Sequence, residues 1–345
     1  MKIANRPIGP DHPPYVIAEL SANHNGSLET ALSIVEAAKA NGADAVKLQT
    51  YRPDTITLDA DGEEFRIQGG LWDGRRLYEL YEEAHMPWDW HAPLFARARE
   101  LGITIFSSPF DATAVDLLED LNAPAYKIAS FEAVDLPLIR TVAATGKPMI
   151  ISTGMADAEE IDEAIAAARE GGCRELAILH CVSGYPAPAA DYNLRTIPDL
   201  IERTGEIVGL SDHTLDNTTA ITSVALGARI IEKHFMLARS DGGPDSAFSL
   251  EPPELKALCQ GARTAFEALG TVNYGRKSSE QGNVKFRRSL YIVQDLKAGD
   301  TLTAEAVRSV RPGYGLAPKH LDAVLGRRLK TDVARHTALR WDLLA

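Results

Sequence analysis

No stretch of the chain stays apolar for the ~20 residues that a membrane-crossing helix needs. Its first residues, MKIANRPIGPDHPP, also lack the apolar core of a secretory leader. A bilayer is therefore not an expected partner, and no leader peptide is expected. Cysteine is scarce: Cys173, Cys181 and Cys259 are the only three, an odd number without CxxC spacing. This excludes a disulfide framework and a zinc ribbon, and it fits free thiols in a reducing cytoplasm. Basic residues are outnumbered, 36 against 48 acidic ones, so the formal net charge is −12. That balance argues against a nucleic-acid partner, although a local basic pocket for a small anion can sit in an acidic protein.

What is present is length and repetition. The 345 residues accommodate one barrel of ~250 residues and a small second domain. MKIAN and RPIG read as a short hairpin capping one end. From Tyr15 a unit repeats eight times: a short apolar strand, a polar or glycine-containing loop, then an amphipathic helix. The strands are YVIAEL, DAVKLQT, ITIFSS, AYKIAS, PMIIST, LAILHC, IVGLSD and ARIIEKHF. They are apolar along their length, as parallel strands covered on both faces are, and several of the helical stretches end in glycine. Eight such units predict a (β/α)8 TIM barrel over residues 1–270, with an open doubly wound sheet as the alternative.

Barrel chemistry sits at the C-terminal strand ends. Those ends hold Glu19 and the SANHNG turn with Asn23, Lys47 and Gln49, Ser107 and Ser108, Lys127, Ser130 and Glu132, and Ser152 and Thr153. They continue with His180, Ser183 and Tyr185, then Ser211 to His213, and finally Glu232 to His234. Lys47 and Lys127 lie inside strand-like runs, where a lysine must be paired or solvated. With the hydroxyls they form a natural cradle for phosphate or carboxylate. GLSDHT (209–214) and IIEKHF (230–235) flank an alanine-rich helical pattern, giving a strand–helix–strand unit. His213 and His234 thus fall on neighbouring strand ends, where two imidazoles can converge on one divalent cation and leave positions open for water or substrate. The bland alternative is two satisfied histidines on a sheet rim.

Residues 51–90 are too long for a plain βα loop and hold three of the four tryptophans. They read partly as a packed helix and partly as a lid. The rim after the eighth strand, RSDGGPDSAFSLEPPE, offers Asp245 as a metal neighbour or base, with Ser249 as the expected N-cap of the last helix. Residues 271–285 read as a linker. Residues 286–345 read as a small β-rich domain rich in arginine, Arg311 included.

Taken in order, AELSANHNGS, VKLQTY, FSSPFD, AYKIASFE, IISTGM, LHCVSGYP, GLSDHT, IEKHF and RPGYG resemble the sialic acid synthase family of phosphoenolpyruvate-condensing enzymes. SANHNG, SSPFD, ASFE and the GLWDGRRLYELYEEAH insertion resemble its pseudaminic acid branch more than its N-acetylneuraminate branch. The resemblance implies a barrel followed by an antifreeze-like (SAF) domain in a homodimer with swapped C-terminal domains. It also implies a reaction in which phosphoenolpyruvate condenses with an open-chain N-acetylated amino sugar, 2,4-diacetamido-2,4,6-trideoxy-L-altrose for the pseudaminic branch. A divalent cation (Mn2+, Mg2+ or Co2+) on His213 and His234 would act as the Lewis acid. The family's phosphoenolpyruvate contacts fall on Lys47, Ser108, Lys127, Ser130, Ser183, Ser211 and His213. Ser108 and Ser183 replace the usual Thr and Asn. Glu19, Glu132 and Asp245 match catalytic carboxylates, and Asn23, Gln49, Tyr185 and Arg311 are expected at the sugar. Two alternatives are an N-acetylneuraminate or legionaminic acid synthase and a metal-dependent pyruvate aldolase, whose Schiff-base version would use Lys127. A third is a non-catalytic sugar-binding or assembly protein.

Overall fold

The computed structural model describes residues 1–345, which fall into two compact units, Met1–Gly270 and Thr271–Ala345. In the larger unit, strands β1 (Lys2–Ile3) and β2 (Arg6–Pro7) form the expected antiparallel hairpin. Eight parallel strands then close a barrel: β3 (Tyr15–Glu19), β4 (Ala45–Thr50), β5 (Thr104–Pro109), β6 (Tyr126–Ile128), β7 (Met149–Ser152), β8 (Leu176–Cys181), β9 (Ile207–Ser211) and β10 (Ile230–His234). The first and last strands pair in register, with His234 opposite Glu19.

Eight helices alternate with these strands: α1 (Leu28–Ala40), α4 (Trp88–Leu101), α5 (Ala112–Asp120), α6 (Leu136–Ala143), α7 (Ala158–Glu170), α8 (Thr196–Thr204), α9 (Thr218–Ala225) and α10 (Pro252–Leu269). Two more, α2 (Pro53–Ile56) and α3 (Leu77–Ala84), belong to the insertion after β4. Local chemistry sets the starts. Asp111 caps α5 by accepting from the Thr113 and Ala114 amides, and Asp157 with Glu160 forms a capping box on α7. Ser249 does not cap α10. Glu251 does, with the prolines in the first turn, because Ser249 is drawn instead into contacts with Asn23 and the Asp245 carbonyl.

Strand side chains alternate between two cores. One face packs against the helices. The other fills the barrel with Tyr15, Ile17, Ala45, Phe106, Ile150, Ala177, Leu179 and Ile230, joined by Ile3 and Ile8 from the hairpin region. Following that inner face two residues at a time toward the C-terminal ends, the apolar layer gives way to Glu19, Lys47, Gln49, Ser108, Lys127, Ser152, Cys181, Ser211, Glu232 and His234. The charged groups of the inner face are thereby confined to one end of the barrel.

The smaller unit pairs β11 (Ser289–Ile292) with β12 (Val307–Val310) antiparallel. Its own core is built from Leu290, Ile292, Leu302, Val324, Leu329, Leu339 and Leu344, with a one-turn helix α11 (Leu321–Val324). Residues 278–286 form a 3-10 stretch within this unit.

Candidate active site

A cavity of about 500 Å³ opens at the C-terminal end of the barrel. Its polar floor includes Lys47, Gln49, Lys127, Ser130, Glu132, Tyr185, Ser211, His213, His234 and Asp245. These come from five different strand ends and the loops that follow them, so ten of the fifteen side chains given a role from the sequence meet in one place.

Charge on the floor is organised in pairs. Lys47 Nζ lies 2.5 Å from Glu19 Oε2, 3.7 Å from Glu232 Oε1 and 3.3 Å from Ser108 Oγ. Lys127 Nζ lies 3.3 Å from Glu232 Oε1. Burial alone would depress the Lys47 ammonium, but Glu19 and Glu232 overcome it and raise its pKa. Burial likewise opposes ionisation of Glu232, yet Lys127, Lys47 and His234 hold its carboxyl well below the usual range. Glu132 differs: burial pushes it up to about 7, with Lys127 only partly opposing. The floor thus carries two ammonium groups already neutralised by two carboxylates, beside a third carboxylic acid that exchanges its proton near neutrality.

Three unpartnered groups, on Glu132, Glu232 and His234, line the cavity, and two more, on Ser152 and Ser183, lie behind its lining. The Oγ atoms of Ser152 and Ser183, one oxygen each of Glu132 and Glu232, and Nδ1 of His234 are buried without hydrogen-bond partners. Ser130 Oγ accepts from the Gly154 amide at 3.1 Å, and a Cβ at residue 154 would come within 2.2 Å of Ser183 Oγ. Only glycine leaves room for those hydroxyls there. Ser183 therefore keeps a free donor despite being shorter than asparagine.

The two imidazoles face one another with ring centroids 5.5 Å apart. His213 Nδ1 donates to the Val182 carbonyl at 2.9 Å, which directs the Nε2 lone pair away from that bond. His234 Nδ1 has no hydrogen-bond partner, its nearest carboxylate oxygen being Asp245 Oδ2 at 3.5 Å. No three His, Cys, Asp or Glu side chains enclose a common point. The donor set is therefore two imidazoles next to an excess of carboxylate. It fits a divalent cation that takes its remaining ligands from water or substrate.

Five expected residues do not line the cavity. Glu19 is fully buried behind Lys47, and Ser108 lies under the same ammonium. Ser183 stands behind Gly154. Asn23 is not placed as a sugar contact: its amide donates to the Phe235 carbonyl at 3.1 Å and to Ser249 Oγ at 2.8 Å, tying the first loop to the exit of β10. Arg311 belongs to the smaller unit, where it is exposed just after β12. Conversely, Glu232 and Ser152, named only as polar strand ends, and Cys181 occupy the inner face without having been given a role in the site. The signal for Glu232 was its position two residues before His234 on one strand. Lys233, between them, points outward and pairs with Asp212 at 2.9 Å.

Two family models match the chain: one described as the NeuB family over residues 34–274, the other as the SAF domain over 287–345. Over 340 residues the chain is 45% identical to a pseudaminic acid synthase of Campylobacter jejuni, covering 99% of this chain and 98% of that protein. A pseudaminic acid synthase of Helicobacter pylori is 44% identical over 332 residues, 96% of this chain and 97% of that one. Among solved structures, the N-acetylneuraminic acid synthetase of Leptospira borgpetersenii, in complex with citrate, matches with a TM-score of 0.73 at 30% identity, over 82% of this chain and 94% of that chain.

Proposed function

The chain belongs to the NeuB family, and from that premise we propose that it condenses phosphoenolpyruvate with open-chain 2,4-diacetamido-2,4,6-trideoxy-L-altrose and water to give pseudaminic acid and phosphate. C3 of the enol ester forms the new carbon–carbon bond to the aldehyde carbon, whose oxygen takes up a proton. Water adds at C2, and phosphate departs as C2 becomes a ketone. The observation that carries this reading is the convergence of Lys47, Lys127, Ser130, Ser211 and the two imidazoles on one cavity.

The two lysines and the serine hydroxyls suit the carboxylate and phosphate of a small, highly anionic acid. Glu19 and Glu232 hold the lysines in place until that anion arrives. Glu132, poised near neutrality, can take or return a proton at the reacting carbons. A Mn2+, Mg2+ or Co2+ ion held by His213 and His234 would supply Lewis-acid chemistry to the aldehyde. Gln49 and Tyr185, both in the cavity lining, would contact the sugar. Arg311, in a homodimer with exchanged C-terminal units, is part of the same reading, as is a cytoplasmic location. No helix is long and apolar enough to cross a membrane.

Mass spectrometry of products from phosphoenolpyruvate and a panel of aldoses tests the proposal. The 2,4-diacetamido-2,4,6-trideoxy-L-altrose should yield the nine-carbon acid in preference to N-acetylmannosamine. Preference for N-acetylmannosamine would move the chain to the neuraminate branch, and a product made from free pyruvate would make it an aldolase.

A further inference from the structure

Resting on the reading above, we infer that the insertion after β4 sets which aldose is accepted. Ile67 and Leu77 stand in a hydrocarbon wall that admits a sugar ending in a methyl group and rejects one ending in a hydroxymethyl. The insertion is densely charged in sequence. Yet the side chains it turns to the cavity, chiefly Ile56, Ile67, Trp72, Leu77, Leu80 and Tyr81, include no charged group. Its charges are spent on one another elsewhere: Arg75 on Glu83 at 2.5 Å, and Arg76 on Asp59 and Glu79 at 2.9 Å each.

The wall is held in place rather than loosely draped. The Ile67 amide donates to the Arg75 carbonyl at 2.9 Å, and the Gly74 amide donates to the Ile67 carbonyl at 2.8 Å. Trp72 Nε1 donates to the Pro244 carbonyl at 3.0 Å, beside Asp245. The Trp72 ring lies 5.7 Å from Tyr185, which stacks 4.5 Å from His213. The wall is thus referenced to the reacting end of the cavity. A sugar whose aldehyde lies at the imidazoles extends its far carbons toward it.

A hydroxyl placed against Ile67 and Leu77 loses its water and finds no partner, whereas a methyl gains contact there. The indole N–H is already committed to Pro244, which leaves tyrosine hydroxyls as the wall's only free donors. Discrimination by such a surface amounts to ~10- to 100-fold in kcat/KM.

The test is steady-state kinetics of the full chain with phosphoenolpyruvate and two aldoses that differ only at C6, the 2,4-diacetamido-2,4,6-trideoxy sugar and its 6-hydroxy counterpart. The unaltered protein should favour the deoxy sugar by ~10- to 100-fold. Ile67→Thr and Leu77→Asn should each narrow that ratio several-fold while leaving the KM for phosphoenolpyruvate unchanged. Both positions are only half-buried, and two variants guard against one failing to fold. Equal kcat/KM for the two sugars, or a ratio unmoved in both variants, overturns the inference while leaving the condensation intact. Failure of both sugars to release phosphate removes the condensation reading itself, and the inference falls with it.

Discussion

Glu232 holds Lys127 at 3.3 Å from a position two residues before His234 on the same strand face. One carboxylate therefore ties the anion cradle to the imidazole pair. Glu232→Gln leaves Lys127 buried with no charge partner, which should destabilise the unliganded protein by about 3 kcal/mol. An incoming anion should restore the loss. Thermal denaturation checks this: the rise in Tm on adding phosphoenolpyruvate should be larger in the variant than in the unaltered protein.

Glu132 titrates near 7 instead of 4.5 because burial disfavours its charge. If its ionised form takes the proton, kcat/KM should rise through a single-proton limb near pH 7, and Glu132→Gln should lack that limb. The linked stability runs the other way. Between about pH 4.5 and 7 the folded chain holds a proton that the unfolded chain has released, so stability falls as pH rises through that window. Glu132→Gln should remove this loss, worth about 1–3 kcal/mol above pH 7.

His91 is fully buried, with Nε2 2.8 Å from Thr50 Oγ1, and burial lowers its pKa from 6.5 to about 4. The unfolded chain gains a proton near pH 6.5 that the folded chain refuses until about pH 4. Stability is therefore complete above the first value and declines as pH falls toward the second, by about 3 kcal/mol in all. Urea midpoints across this range should show the slope, and His91→Gln should flatten it.

Much of the architecture was legible because each strand is apolar until its polar C-terminal end, and the helices between are closed by local signals such as the Asp157–Glu160 box. Side-chain direction was harder. In IIEKHF the polar run Glu232–Lys233–His234 reads as one cluster, yet strand alternation sends Glu232 and His234 inward and Lys233 out to Asp212. Asn23 looked like a mouth residue because it lies in a polar turn after β3. Its partners, Phe235 and Ser249, are 212 and 226 residues away, and nothing local announces them. Ser249 failed as a cap for the same reason. Burial of Glu132 depends on the whole fold, so its shifted proton affinity had no sequence signal.

His234 offers a ring nitrogen that no protein group uses. His234→Ala should abolish retention of a divalent cation while leaving the circular dichroism spectrum intact, because the ring supports no structural hydrogen bond. Metal analysis after dialysis checks this directly. Undiminished metal content would place the cation elsewhere.

The most direct measurement is phosphate release with each component omitted in turn. Release should require phosphoenolpyruvate and the diacetamido aldose together, stop on addition of a chelator, and match the nine-carbon product one for one. Phosphate released without the aldose, or product formed from pyruvate in place of phosphoenolpyruvate, would contradict the condensation.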